Sequence, residues 1–174
     1  MRPVFTSVFS VLVVAFAAAL FAPAPARALT ADWQTFEPDG GGFSVEMPGK
    51  PNLKSEDRNG HKTDTALVAF DKAAAGANLV FMVKYQARSG APGPDAPAML
   101  QSVVKAMSSG NKLVSDDEDT MEGFPARTFV MKDSEDTYQV RVVLTDRYFI
   151  EAMFLGPADN ELGKRFLESF TVAK

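Results

Sequence analysis

The chain has 174 residues, 46% of them hydrophobic and 23% charged, with no cysteine, one histidine and a net charge of −4. The lack of cysteine excludes disulfides, thiol nucleophiles and thiolate metal sites. An acidic balance disfavours nucleic acid, whose phosphates repel it, and anionic lipid surfaces for the same reason.

The first 28 residues read as a secretory signal. Arg2 supplies the positive start, Val11 to Ala22 form an apolar run, Pro23 and Pro25 break the helix, and Ala26-Arg27-Ala28 offers the small-x-small site that signal peptidase accepts. Cleavage after Ala28 is expected. An uncleaved anchor is the alternative: the uninterrupted run has 12 residues where a span requires roughly 20, the upstream residues extend it nearly that far, and the prolines with the Ala-x-Ala site favour cleavage. A lipoprotein anchor needs a cysteine at the cut and is excluded. Removing residues 1–28, with Arg2 and Arg27, leaves 146 residues bearing 16 basic and 22 acidic side chains, a charge of −6. A domain of that size buries roughly 68–70% of its unfolded surface and folds without covalent staples. The expected location is periplasmic or secreted, with no stable membrane insertion after cleavage. Residues 29–174 are expected to form a single domain.

Along that domain, Trp33 and Phe36 come first, then a turn at Glu37 to Gly42. Phe43-Ser44-Val45-Glu46-Met47 alternates strictly and predicts a half-buried strand, stopped by Pro48-Gly49-Lys50-Pro51. Leu53 to Arg58 reads as an edge strand, and Asn59-Gly60 is a hairpin signal. Thr63 to Asp71 and Leu79 to Gln86 are rich in strand formers. In the second, Leu79, Phe81, Val83 and Tyr85 share one face while Val80 and Met82 make the other partly apolar, which predicts a central strand covered on both sides. A loop spans residues 87–94.

Asp95 is placed to cap a helix with Pro97 in its first turn. Leu100, Val103, Val104 and Met107 form one apolar stripe on it. Strands are predicted over Lys112–Met121 and Arg127–Lys132, separated by the turn Glu122-Gly123-Phe124-Pro125. Tyr138, Val140, Val142 and Leu144 alternate on a further strand. Asp146-Arg147 is a corner, and Tyr148–Leu155 is the last long strand. Asp159 is placed to cap a final helix carrying Leu162, Phe166 and Leu167, before Phe170-Thr171-Val172 closes the chain. Hairpin-linked strands with separate helices predict an α+β fold, mainly antiparallel sheet flanked by two short helices.

The candidate sites are few. His61, in a polar turn, reads as a solvated surface residue, because a catalytic imidazole needs an orienting partner. Asp116-Asp117-Glu118-Asp119 offers either a site for a hard cation or a solvated, negatively charged strand edge. Four adjacent acids on a strand point alternately to opposite faces, which favours the edge. Glu151 interrupts an apolar strand. It is either a buried functional carboxylate or, as expected here, an outer-face residue beside Phe149 and Met153, or a cross-strand partner of Arg141. Gly40-Gly41-Gly42 lacks the Lys-Ser/Thr and following helix of a phosphate loop. Gly123-Phe124-Pro125 places an aromatic at a turn, where it plugs a sheet end or meets a partner. No catalytic, cofactor-binding or metal-ligating set emerges from these residues.

The stretch Gly42-Phe43-Ser44-Val45-Glu46-Met47-Pro48-Gly49-Lys50-Pro51 after Trp33 and Phe36 resembles the opening of small bacterial exported domains. The Gly123, Pro125-Ala126-Arg127 turn, the Arg147-Tyr148-Phe149-Ile150 strand and the closing Phe166-Leu167-Glu168-Ser169-Phe170 are similar to those domains too. Their order resembles the PsbP-like α/β/α sandwich. That resemblance implies a non-catalytic accessory protein that binds a larger assembly, and it carries over no site residue. The expectation is therefore a non-enzymatic binding domain without a cofactor, engaging an envelope protein partner through an exposed sheet face or the loop 87–94. A pocket for a small apolar ligand or lipid between sheet and helix is the alternative. A carboxylate-only enzyme ranks last, since no pair among the 22 acids is singled out.

Overall fold

The computed structural model describes residues 32–58 and 60–173, so the signal reading and Asn59 lie outside the described residues. Ten strands and three helices follow in the order β1 (Gln34–Phe36), β2 (Phe43–Met47), β3 (Asn52–Arg58), β4 (His61–Phe70), α1 (Lys72–Ala75), β5 (Leu79–Ala87), α2 (Ala96–Met107), β6 (Lys112–Met121), β7 (Phe124–Lys132), β8 (Thr137–Leu144), β9 (Tyr148–Leu155), α3 (Glu161–Ser169) and β10 (Thr171–Val172). The α+β class read from the sequence holds, and the sheets are antiparallel throughout.

There are two sheets. Seven strands form the larger, in the order β3-β4-β5-β9-β8-β7-β6, and β1-β2-β10 form a small one. The strand predicted at Phe43–Met47 thus belongs to a separate layer. Its alternation still sets its orientation, because Phe43, Val45 and Met47 are all buried. Hairpins account for most of the large sheet. The exception is the jump from β5 through α2 to β6 at the far edge, which lets β9 return between β5 and β8.

The large sheet carries a core on each face. On one side Phe81, Val83, Ile150, Ala152 and Phe154 pack under Phe166 and Leu167 of α3 and under the small sheet. On the other, Leu100 and Val104 of α2 pack on Phe129, Met131, Val140 and Val142 of β7 and β8. The two ends of the domain are tied together: β10 pairs with β2 through Val172 and Phe43. Arg165 of α3 bonds Glu46 at 2.7 Å and lies over the Trp33 ring at 4.2 Å, close enough for a cation–π contact.

Several predicted boundaries shift. Asp95 occupies the first cap of α2 but makes no side-chain cap, since its backbone is already helical. Helix α3 is capped by Asn160 rather than Asp159: the Asn160 carboxamide oxygen accepts from the amides of Leu162 and Gly163 at 3.0 and 3.2 Å, which satisfies two otherwise orphan donors. The segment before β5 contains the one-turn helix α1. Phe124 and Pro125 lie within β7 rather than in the turn, with Pro125 opposite Thr120 and just beyond the first β8 partner, Ala126. At that position a proline removes no bond to β8. Among the described residues, no helix is long and apolar enough to cross a membrane.

Candidate binding surface

Helix α2 covers only part of its face of the large sheet. It packs on β7 and β8, and its cluster reaches Phe149 and Met153 of β9. Strand β5 is third in the order, beyond that reach. Cross-strand neighbours share a face, so the register identifies what lies there. Val80 stands beside Leu155, Met82 between Leu67 and Met153, Lys84 between Thr65 and Glu151, and Gln86 between Thr63 and Phe149. Leu67, Val80, Met82, Met153 and Leu155 are partly exposed and Lys84 is exposed. Strand β5 is therefore covered on one face only in full, which corrects the expectation of cover on both.

Two depressions mark this surface. A groove of about 310 Å³ runs where α2 meets the sheet, lined by Met99 and Val103 above and Leu144 and Phe149 below, with Gln86 to Arg88 at its end. A second, about 290 Å³, lies over β3, β4 and β5 and is lined by Glu56, Thr63, Thr65, Met82 and Lys84. The Arg88 guanidinium fixes the start of the adjoining loop by donating to the carbonyls of Gly90, at 2.7 Å, and Thr145.

Glu151 sits where covered and open halves meet. It is 8% exposed, flanked on its own strand by Phe149 and Met153, which pack against the α2 cluster. The expected outer-face position is therefore wrong, and so is the pairing with Arg141. Arg141 stands opposite Ala152 on the other face, where it donates to the Leu167 carbonyl at 3.1 Å and to Thr128 Oγ1 at 3.3 Å. A side chain opposite position 152 cannot share a face with position 151. Burial pushes the Glu151 carboxyl above its ordinary range, with the Lys84 charge acting the other way.

The raised pKa sets a pH dependence. Folding tightens the proton on Glu151, so its contribution is most favourable below the unfolded value and falls as pH rises toward the folded one. Glu151→Gln keeps the shape of the protonated acid. It is expected to melt with wild type near pH 4 and a few degrees above it at pH 7, by calorimetry. A constant difference across that range, or a variant less stable at pH 7, would contradict the burial argument.

The acidic run divides between two environments. Asp116 and Glu118 meet the buried Arg127, with Nε 2.9 Å from Asp116 Oδ1 and Nη1 3.3 Å from Glu118 Oε2. Gln101 of α2 adds a bond to Asp116 Oδ2 at 3.1 Å. The hydrogen bond from Arg127 holds the Asp116 carboxyl below its usual range, against the effect of burial. Asp117 and Asp119 are exposed. His61 is exposed beside Gln86, with Nδ1 3.3 Å from Nε2. The three glycines form a packing device. Gly42 has φ +103°, and a Cβ there would stand 2.7 Å from the Tyr148 ring, while Arg147 Nη2 donates to the Gly40 carbonyl at 2.7 Å. Phe124 packs against the main core.

The arrangement brings together residues that sequence reasoning passed over, above all Lys84, Thr63 and Thr65. A signal was present in the alternation Val80, Met82, Lys84, Gln86, which turns polar halfway along one strand face. Compared with known proteins, the chain matches no family model and has no significant match among curated proteins.

Proposed function

We propose that this chain is an exported, non-enzymatic binding domain of PsbP-like architecture that docks an envelope protein on the half of the sheet α2 leaves open. One observation carries the reading. The side chains of Leu67, Val80, Met82, Met153 and Leu155 form a contiguous, partly exposed apolar face that Lys84 borders at one end. Sheet faces of this kind are ordinarily covered by a packed layer. The expected occupant is an amphipathic helix lying alongside α2, with its apolar stripe on Met82 and Met153 and an acidic residue toward Lys84. The antiparallel sheet with a helix on each face supports the sandwich assignment, and the signal-like residues 1–28 support export.

The test is site-specific photocrosslinking in the exporting cell. A crosslinker at Met82 is expected to capture one protein in stoichiometric yield, and Met82→Asp elsewhere in the same experiment to abolish capture from Met99. A crosslinker at Asp117 on the far edge is expected to capture nothing. Equal capture from both positions would overturn the reading. The apolar groove favours a second reading, a small apolar ligand or lipid. A rise in Tm with a long-chain fatty acid, lost in Val103→Trp, would assign the groove to it.

A further inference from the structure

The large sheet ends in two edge strands, β3 and β6, and they differ in what they can pair with. Strand β6 carries a bulge between Leu113 and Ser115, and pairing it with itself would set its four consecutive acids against one another. Strand β3 is regular along all seven of its pairs with β4, and its side chains from Asn52 to Asp57 are exposed. We infer that β3 is the interface of a symmetric dimer, in which two copies pair antiparallel about a two-fold axis at Ser55 and join their sheets. This goes beyond the docking of a partner on the open face and does not depend on it.

The hydrogen-bond parity selects the register. The Arg88 amide donates to the Arg147 carbonyl at 2.8 Å, which continues the β5–β9 register. Even-numbered residues of β5 therefore bond to β9 and its odd-numbered ones to β4, so Arg58–His61 is a hydrogen-bonded pair from which bonded pairs of β3 and β4 alternate. Asn52, Glu56 and Lys54 therefore spend their backbone groups on β4, while Leu53, Ser55 and Asp57 turn theirs outward. A two-fold pairing must be centred on one of those three. Centred on Asp57, it sets that carboxylate against its own copy. Centred on Leu53, it runs at once into Pro51, which has no N–H to give. Centred on Ser55, it bonds Ser55 to itself and Leu53 to Asp57 of the second copy, about six backbone bonds in all.

The side chains agree with that register. Lys54 falls opposite Glu56 of the second copy, and Glu56 opposite its Lys54, at the non-bonded positions where side chains approach most closely. Within one chain the same two residues already form an ion pair at 2.6 Å, with Lys54 largely and Glu56 partly exposed. Pairing exchanges the two intrachain contacts, one in each copy, for two crossed ones of the same sign pattern. Lysine on an edge strand ordinarily discourages added strands. Here it discourages every strand that does not bring an acid to the facing position, and the chain's own β3 does. The interface is isologous, so it closes at two copies rather than growing into a fibre.

Sedimentation equilibrium of the purified protein tests the proposal, with amide exchange as a local readout. The wild type is expected to run at twice the monomer mass at about 100 µM. The amides of Leu53, Ser55 and Asp57 should become protected as concentration rises. Lys54→Glu places acid opposite acid at both symmetric contacts, and is expected to raise the dissociation constant about tenfold or more. The double variant Lys54→Glu with Glu56→Lys restores the pairing and is expected to return to the wild-type value. These positions are exposed, so all variants should melt together at dilutions where each is monomeric. A monomeric wild type would overturn the proposal. A dimer indifferent to Lys54→Glu, a swap that fails to restore it, or amides at 53, 55 and 57 that stay unprotected would each do the same.

Discussion

Replacing Phe81 with alanine is expected to remove about 3–5 kcal/mol of stability. The ring is fully buried and meets four other aromatics that come from separate parts of the chain. These are Trp33 before β1 at 6.3 Å, Phe70 at the end of β4 at 6.2 Å, Phe154 of β9 at 5.1 Å and Phe166 of α3 at 5.6 Å. Edge-to-face and tilted contacts of this kind add to the burial itself. The cavity left behind is expected to stay open, because β5 and β9 are hydrogen-bonded neighbours and α3 is held to β2 by the Arg165–Glu46 bond. Urea unfolding should show a lower midpoint at an unchanged slope, and Tm should drop by roughly 10 °C or more. A loss near 1 kcal/mol would mean that the layers close up freely and that Phe81 does not join them.

Arg127→Met comes next, at about 3 kcal/mol, the low end of the range for removing one partner of a buried pair. Methionine fills most of the same volume, so the loss isolates the charge. What remains is Asp116, whose side chain is 15% exposed, held only by Gln101. Glu118 is largely exposed and returns to water at little cost. The pH dependence follows from the lowered pKa of Asp116. Its contribution is present above the unfolded value, about 3.8, and is lost as pH falls through the folded one. The gap between wild type and variant should therefore be full at pH 7 and shrink below about pH 4. Adding Asp116→Asn to Arg127→Met should recover most of the loss at pH 7. A gap that persists unchanged in acid would show that Arg127 acts through packing alone.

Legibility in the sequence was uneven, and particular residues show why. Strict alternation identified β2, β8 and the buried face of β5, since a half-buried strand leaves a period-two trace. The same alternation placed Tyr138, Val140, Val142 and Leu144 on one face, where they meet α2. Caps were less readable: Asp95 and Asp159 are good cap residues, but backbone angles decide whether a side chain reaches the amides, and Asn160 is the one that does. The acidic run was visible while its division was not, because Arg127 lies on the neighbouring strand and only the β6–β7 register sets it beside Glu118. Glu151 was misread for a similar reason. A carboxylate between Ile150 and Ala152 says nothing about which neighbour faces it.

By itself the sequence determined the absence of thiol chemistry, the α+β class, the strand faces and the positions of the two longer helices. All of these depend on residue type and on periodicity within a segment. Tertiary structure decided which strands are neighbours, that β2 and β10 leave the main sheet, and that α2 stops short of β5. It alone set Lys84 beside Glu151, whereas the polar run that marks β3 as an edge was already legible in the sequence. Such juxtapositions come from the order in which hairpins are laid into a sheet, and a register between distant strands leaves no trace in either strand alone.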